Sequence, residues 1–344
     1  MTRRRRGRPR PSAYARARPV LSRSLPGPKS TRQLAHRKSR SRASTSSLPT
    51  TSSMAPLADF LLAHLPLASL NVPYELTHYV PGKTPFSTPQ EVFPALVAYL
   101  VIIFGIREWM KSRPPFKFQF FFRLHNAFLS SGSLLLVLLI MEEVVPLWLQ
   151  HGTFWALCDD DMWTSRLEFY YMINYYFKYI ELIDTVFLAL KKKPLAFLHV
   201  FHHSATALLC YTQLNGKTSV QWVPISINLT VHVIMYYYYY ATAGGAKIWW
   251  KKYLTTFQIV QFVIDLFVVY FATYSYYAAN YFKNLPTLGS CAGTESAAVF
   301  GCALLSSYLV LFIQFYIQTY KKPAGKKGVA NGKANGVANG HKTE

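Results

Sequence analysis

The sequence predicts an all-α, polytopic membrane protein with seven transmembrane helices, and three observations carry that reading. Seven apolar stretches, near residues 92–110, 126–148, 166–190, 195–215, 218–240, 254–278 and 297–319, can each cross a hydrocarbon core of about 30 Å, which needs roughly 17 to 25 helical residues. Basic residues recur in alternate connections. Polar residues within four successive stretches fall at helical spacing, one face per stretch. With 51% apolar and 16% aromatic residues, a chain of 344 residues would also suit a soluble protein, but seven such lengths in succession exceed ordinary core helices.

Taken in order, residues 1–53 form a basic leader, 54–91 a pre-membrane segment, 92–322 the seven-helix domain and 323–344 a tail. The leader holds 15 of the 37 Lys and Arg and no acidic residue. Rich in Arg, Ser and Pro, it cannot bury a core and is expected to be disordered. Its composition matches an organelle transit peptide, or a basic arm for nucleic acid or anionic lipid. A third reading, in which Met54 begins the working protein, is preferred, and it expects no nucleic-acid partner. Without the leader, 22 basic and 15 acidic residues remain and the formal charge falls from +22 to +7. The tail repeats Ala-Asn-Gly and reads as a flexible low-complexity end. No internal repeat relates the helices.

The first stretch carries Arg107 and Glu108 near its end, where they must snorkel or face protein. In the third, Lys178, Glu181, Asp184 and Thr185 share about a third of a helix circumference. The fourth holds His199-Val200-Phe201-His202-His203 in a run without formal charge, and helical phase puts its three imidazoles within a roughly 100° arc. Asn228, His232, Met235, Tyr236 and Tyr239 share a face of the fifth; Thr255, Gln258, Gln261 and Asp265 share one of the sixth. The seventh has no charge from Ala297 to Thr319. Lipid cannot satisfy such faces, so they must turn toward one another and form a polar cavity. His202, His203, His232, Asp184 and Gln261 are expected to line it together.

Lys111, Arg113, Lys117 and Arg123 follow the first stretch, Lys191, Lys192 and Lys193 the third, Lys247, Lys251 and Lys252 the fifth, and Lys321, Lys322, Lys326 and Lys327 the seventh. The intervening connections are poor in Lys and Arg, and one carries Asp159, Asp160 and Asp161. The basic side and the C-terminus are therefore expected in the cytosol. The leader opposes this orientation, which is why Met54 is preferred as the start. Cys158 and Cys291 fall on the non-cytosolic side, where disulfides persist, and a bridge between them is expected in preference to two free thiols. Cys210 and Cys302 read as small apolar residues. The sequon Asn228-Leu229-Thr230 lies within a predicted span and is not expected to be glycosylated.

Four motifs stand in sequence: Lys178-x-x-Glu181-Leu182-x-Asp184-Thr185, His199-x-x-His202-His203, Asn228-x-x-x-His232-x-x-Met235-Tyr236-x-Tyr238-Tyr239 and Thr255-x-x-Gln258-x-x-Gln261. Together, with His125-Asn126 opening the second stretch, they resemble the very-long-chain fatty acid elongase family, the membrane condensing enzymes of the ELO type. The likeness runs from about Pro94 to Lys322, making residues 92–322 an elongase domain, and is greatest to fungal members. Residues 1–53 have no counterpart in it. The resemblance implies a multi-pass protein of the endoplasmic reticulum with six of seven helices ringing an acyl-chain tunnel. It implies decarboxylative condensation of malonyl-CoA with a long-chain acyl-CoA, giving a 3-oxoacyl-CoA two carbons longer. No cofactor is bound on this reading. Ketoacyl reductase, dehydratase and enoyl reductase steps belong to separate partners, and a homodimer is left open. Pro194 stands where members acting on polyunsaturated chains usually carry Gln, which favours saturated and monounsaturated chains over the polyunsaturated alternative.

No Cys or Ser stands in a recognisable catalytic setting among these faces, whereas a neutral imidazole can attack a thioester and form an acyl-imidazole. His202 takes that role, as the resemblance implies, with His203 in reserve and His199 beside them. His232 is placed to position the thioester or malonyl group and to shuttle a proton. Asn228, Gln258 and Gln261 are uncharged donors for the developing enolate. Glu181 and Asp184 would orient imidazoles, with Lys178 offsetting their charge. Competing readings remain: a structural Lys178–Asp184 ion pair, and Gln and Tyr side chains, Tyr236 and Tyr239 included, as interhelical links. Lys191, Lys192 and Lys193 are orientation determinants or CoA-phosphate ligands. A di-iron desaturase or hydroxylase would use histidine boxes, but only one box forms here and no metal is expected. A seven-helix receptor or transporter rests on segment count alone.

Overall fold

The computed structural model describes residues 55–64, 72–282 and 284–321, so the leader and tail expectations lie outside the described residues. Eleven α-helices are present among them: α1 (Pro56–His64), α2 (Tyr74–Thr77), α3 (Pro89–Trp109), α4 (Gln119–His151), α5 (Thr153–Cys158), α6 (Ser165–Glu181), α7 (Ile183–Leu190), α8 (Phe197–Gly216), α9 (Trp222–Ala243), α10 (Lys251–Asn280) and α11 (Glu295–Tyr316). Local sequence sets several boundaries. Pro89 opens α3, and the backbone N–H and hydroxyl of Thr88 donate to the Glu91 carboxylate at 3.2 and 3.0 Å. The Thr164 hydroxyl caps α6 by accepting from the Leu167 N–H at 3.1 Å.

Among the described residues, four helices are long and apolar enough to cross a membrane: Pro89–Trp109, Gln119–His151, Lys251–Asn280 and Glu295–Lys321. The other three of the seven expected stretches are helical too, but more polar or interrupted. The fourth, α8, carries the histidine triplet, and the fifth, α9, carries Asn228, His232 and the tyrosine block. The third is broken, a departure from the single helix expected there. At Leu182 (φ −60°, ψ −25°) the ladder tightens, with Leu182 N–H donating to Tyr179 O and Thr185 N–H to Leu182 O, both at 3.2 Å. This turn separates Glu181 from Asp184.

The long helices pack in a closed circuit: α4 on α9, α9 on α10, α10 on α11, α11 on α8, α8 on α6, and α6 back on α4. Helix α3 sits outside the circuit against α7. Small residues allow the close approaches. A Cβ on Gly132 of α4 would stand 2.6 Å from the Phe177 ring of α6, so any larger residue there must push that ring aside. The outward faces stay apolar and exposed, as at Val97, Val101, Ile102, Val263, Ile264 and Phe267, a surface that suits hydrocarbon.

At the end of the bundle away from the basic connections, Cys158 and Cys291 are disulfide-bonded, with Cα atoms 3.9 Å apart. The pre-membrane segment is tied down at this end. The Glu142 carboxylate accepts from the Leu57 and Ala58 N–H groups at 2.7 and 3.0 Å, binding the start of α1 to α4. Asp59 pairs with Arg166 at 3.3 Å. Tyr79 is buried beneath this cap, its hydroxyl accepting from Asn215 at 2.7 Å, and burial pushes its phenol above the ordinary tyrosine range.

Candidate active site

Two polar clusters form where α6 and α7 meet the ring, one on each side of the Leu182 turn. In the first, Lys178 donates to Glu181 Oε1 and to Asn228 Oδ1, each at 2.9 Å. His232 Nδ1 lies 3.1 Å from the same Glu181 oxygen, at ion-pair distance but outside hydrogen-bond geometry. Asn228 Nδ2 stands 3.4 Å from His232 Nε2. In the second cluster Asp184 accepts from the Tyr236 hydroxyl at 2.7 Å and pairs with His125 Nε2 at 2.9 Å. The competing Lys178–Asp184 pair is therefore corrected: Lys178 pairs with Glu181, and Asp184 takes its imidazole from α4 instead of the triplet. Helix phase treated Leu167 to Leu190 as one cylinder, and the break at Leu182 turns the two carboxylates to different neighbours.

The triplet lies beside both clusters. His199 and His203, at i, i+4, have ring centroids 4.2 Å apart with their planes tilted by 39°, and His202 stands 5.7 Å from His203. His202 packs against Tyr308 at 4.7 Å and Phe312 at 5.6 Å, both from α11. Its backbone carbonyl accepts from Thr206 at 2.6 Å and from the Tyr308 hydroxyl at 3.3 Å. Its ring is thus fixed by aromatic neighbours. His199 Nε2 and His203 Nδ1 are buried without a protein partner, an arrangement that folded proteins avoid unless a ligand or water uses the atom.

A cavity of about 290 Å³ brings the expected residues together: Asp184, His199, His202, His203, His232 and Gln261 line it, as do Asn228, Tyr239 and Gln258. Tyr236 is buried behind the wall. Leu188 and Ala196, which flank the Lys191–Lys193 turn, are also in the wall, so this cavity lies at the basic end. The three lysines do not line it. Lys191 Nζ sits 3.4 Å over the Phe122 ring, and burial, with the Lys193 charge secondarily, lowers its ammonium below the ordinary range. Lys192 donates to the Lys111 and Arg113 carbonyls at 3.1 Å, and Lys193 is exposed.

A second cavity, of about 80 Å³, continues inward and is mostly apolar, walled by Leu209, Leu214, Ile225, Val269 and Leu305 among others. Four residues stand in both walls: His202, Asn228, Gln261 and Phe262. Gln261 Nε2 donates to Asp265 Oδ2 at 3.3 Å, while Gln258 Nε2 lies 3.5 Å from the Met235 sulfur. Lys178 also borders the second cavity. Among the described residues, the group of His, Cys, Asp and Glu side chains close enough to hold an ion is Asp159, Asp160 and Asp161, at the loop, with no histidine in it.

Sequence reasoning left His125, Thr206 and Tyr308 outside the candidate set. His125 opens the second stretch, and its signal was its place beside Asn126 in the family resemblance. Tyr308 lies in the charge-free final stretch, and no pattern distinguishes it from lipid-facing tyrosines.

Fold and site define a helical membrane protein whose imidazoles line a polar chamber, with His202 also in the wall of an apolar one. The chain belongs to the ELO: GNS1/SUR4 family, whose profile matches residues 84–328. It is 52% identical over 237 residues to the protein provisionally named fatty acid elongase 1 of Schizosaccharomyces pombe, an alignment covering 69% of this chain and 71% of that one. Fatty acid elongase A of Dictyostelium discoideum is 37% identical over 236 residues, covering 67% of this chain and 83% of its own. Very long chain fatty acid elongase F of Drosophila melanogaster is 32% identical over 250 residues, covering 68% and 91%.

Proposed function

We propose that the chain is a fatty acid elongase, the acyltransferase that condenses malonyl-CoA with a long-chain acyl-CoA. The observation that carries this reading is the position of His202 in the walls of both the polar and the apolar cavity. An acyl chain laid in the apolar cavity brings its thioester to the imidazole, which attacks the carbonyl carbon and expels the CoA thiolate, giving an acyl-imidazole and, after protonation, free CoA. Malonyl-CoA in the polar cavity then loses CO2, and its enolate carbon attacks the acyl carbon. The carbon–nitrogen bond breaks, the imidazole is regenerated, and the product is a 3-oxoacyl-CoA two carbons longer.

Asn228 and Gln258 border the polar cavity as neutral donors for the enolate oxygen. His232, held between Asn228 and Glu181, is the proton carrier. His199 and His203 complete the polar wall, and Glu181, Lys178 and Asp184 act through the side chains they hold. The closed circuit of six helices around both cavities supports an acyl tunnel within a seven-span bundle. The basic connections support a cytosolic C-terminus, and the disulfide supports a membrane whose far side is oxidising, as in the endoplasmic reticulum. Lys193 is free of the contacts that occupy its neighbours and is the residue of the trio best placed to meet CoA phosphates. The 3-oxo product needs reduction, dehydration and a second reduction by separate enzymes. Pro194 supports saturated and monounsaturated chains.

The test is condensation of radiolabelled malonyl-CoA with an acyl-CoA by the purified protein, read as labelled 3-oxoacyl-CoA. His202→Ala should abolish the product and the acyl mass adduct on intact protein. Full activity in that variant would remove the acyl-histidine route.

A further inference from the structure

Helix α8 carries more than the histidines. His202, Thr206, Leu209 and Gln213 recur at i, i+4, i+7 and i+11, and all four line the apolar cavity. At 1.5 Å per residue the stripe extends about 16 Å from the imidazole toward the disulfide end. Beyond it lies a third cavity, of about 40 Å³, walled by Cys291, Thr273 and Ala298 among others. Gln213, Val220, Val269 and Gly301 belong to the walls of both, so they form the partition between them.

Of these four only Gln213 is polar, and both ends of its amide are anchored. Its Oε1 accepts from the Thr218 hydroxyl at 2.7 Å, and its Nε2 donates to the Ala297 carbonyl at 2.9 Å. Three glycines let the anchors close in. A Cβ on Gly216 would lie 2.4 Å from the Ala297 Cβ, one on Gly293 would lie 2.9 Å from the Thr218 methyl, and one on Gly301 would lie 3.4 Å from Gln213 Nε2. An apolar chain end cannot replace either hydrogen bond, so it cannot displace this side chain without leaving buried polar atoms unpaired.

We infer that Gln213, latched between Thr218 and Ala297, is the floor of the acyl chamber and a specificity-determining residue that limits chain length. The inference rests on the elongase reading above. The third cavity is then space that the unmodified enzyme walls off.

The experiment uses the full chain, labelled malonyl-CoA and a series of saturated acyl-CoAs of increasing length, and reads the longest chain that is extended. Gln213→Ala should raise that ceiling by at least one two-carbon step while shorter substrates are still extended. Thr218→Val, nearly the same size, frees one end of the amide and should raise the ceiling in the same direction by less. Ala298→Phe, which fills only the third cavity, should leave the unmodified ceiling in place and restore it in the Gln213→Ala background. An unmoved ceiling in Gln213→Ala overturns the inference; should that variant fail to fold, an unmoved ceiling in Thr218→Val does so. Absence of any condensation by the unmodified chain would bring down the elongase reading and this inference with it. Condensation with an unmoved ceiling would overturn the inference alone.

Discussion

Glu181 meets two partners through one oxygen, since Lys178 and His232 both reach Oε1. The cluster is buried, so its members are interdependent: a lone ammonium in this position loses far more than an exposed ion pair contributes. Glu181→Ala is expected to cost about 3 to 5 kcal/mol, because Lys178 keeps only the Asn228 carbonyl oxygen. A Glu181→Leu, Lys178→Met double variant should unfold at a higher temperature than Glu181→Ala in detergent; an equal or lower value would mean that the pair is not buried as a unit. The residue types of this cluster were legible in the sequence, because charges inside a lipid-length run have few other uses. Their partners were not. Whether Lys178 meets Glu181 or Asp184 depends on a turn of backbone at Leu182, and nothing in the side-chain pattern marks that turn. Tyr308, which packs on His202, was equally unreadable, since a tyrosine in an apolar stretch has the same pattern whether it faces lipid or a cavity-lining imidazole.

At the scale of the helices, periodicity reported which face of α8 is polar but not which helix it meets. Helix order around the ring is set by shape, and shape depends on small residues. Gly132 is one such residue: Gly132→Val should overpack the α4–α6 contact and destabilise the protein by about 1 to 3 kcal/mol. Adding Phe177→Leu should recover part of that loss in a thermal melt of the double variant, whereas strict additivity would show that the two sites do not touch. Except for α4, whose 33 residues outrun the stretch expected at 126–148, lengths of the apolar stretches were readable within a few residues, because hydrocarbon thickness sets them. The other exceptions were α6 and α7, where an interruption is tolerated because it faces protein and its freed backbone groups find partners one turn away.

For the molecule as a whole, the charge pattern of the connections anticipated both the basic end of the bundle and the cysteines gathered at the other. Replacing Cys158 and Cys291 by Ala is expected to lower stability by about 2 to 4 kcal/mol. The same replacement should abolish the mobility shift that reduction produces on a gel; an unaltered shift would place the bond elsewhere. Residues 158 and 291 are 133 apart in sequence, and Lys178, Asp184, the triplet, His232 and Gln261 all fall between them. These residues therefore sit within a covalent macrocycle, with α4 preceding it and α11 following it in the chain. A single peptide cut anywhere on its circumference leaves one molecule until a reductant is added. The ring also has a birth order. Cys291 emerges from the ribosome after every residue of the polar clusters, so the clasp cannot close before all of their helices have been made.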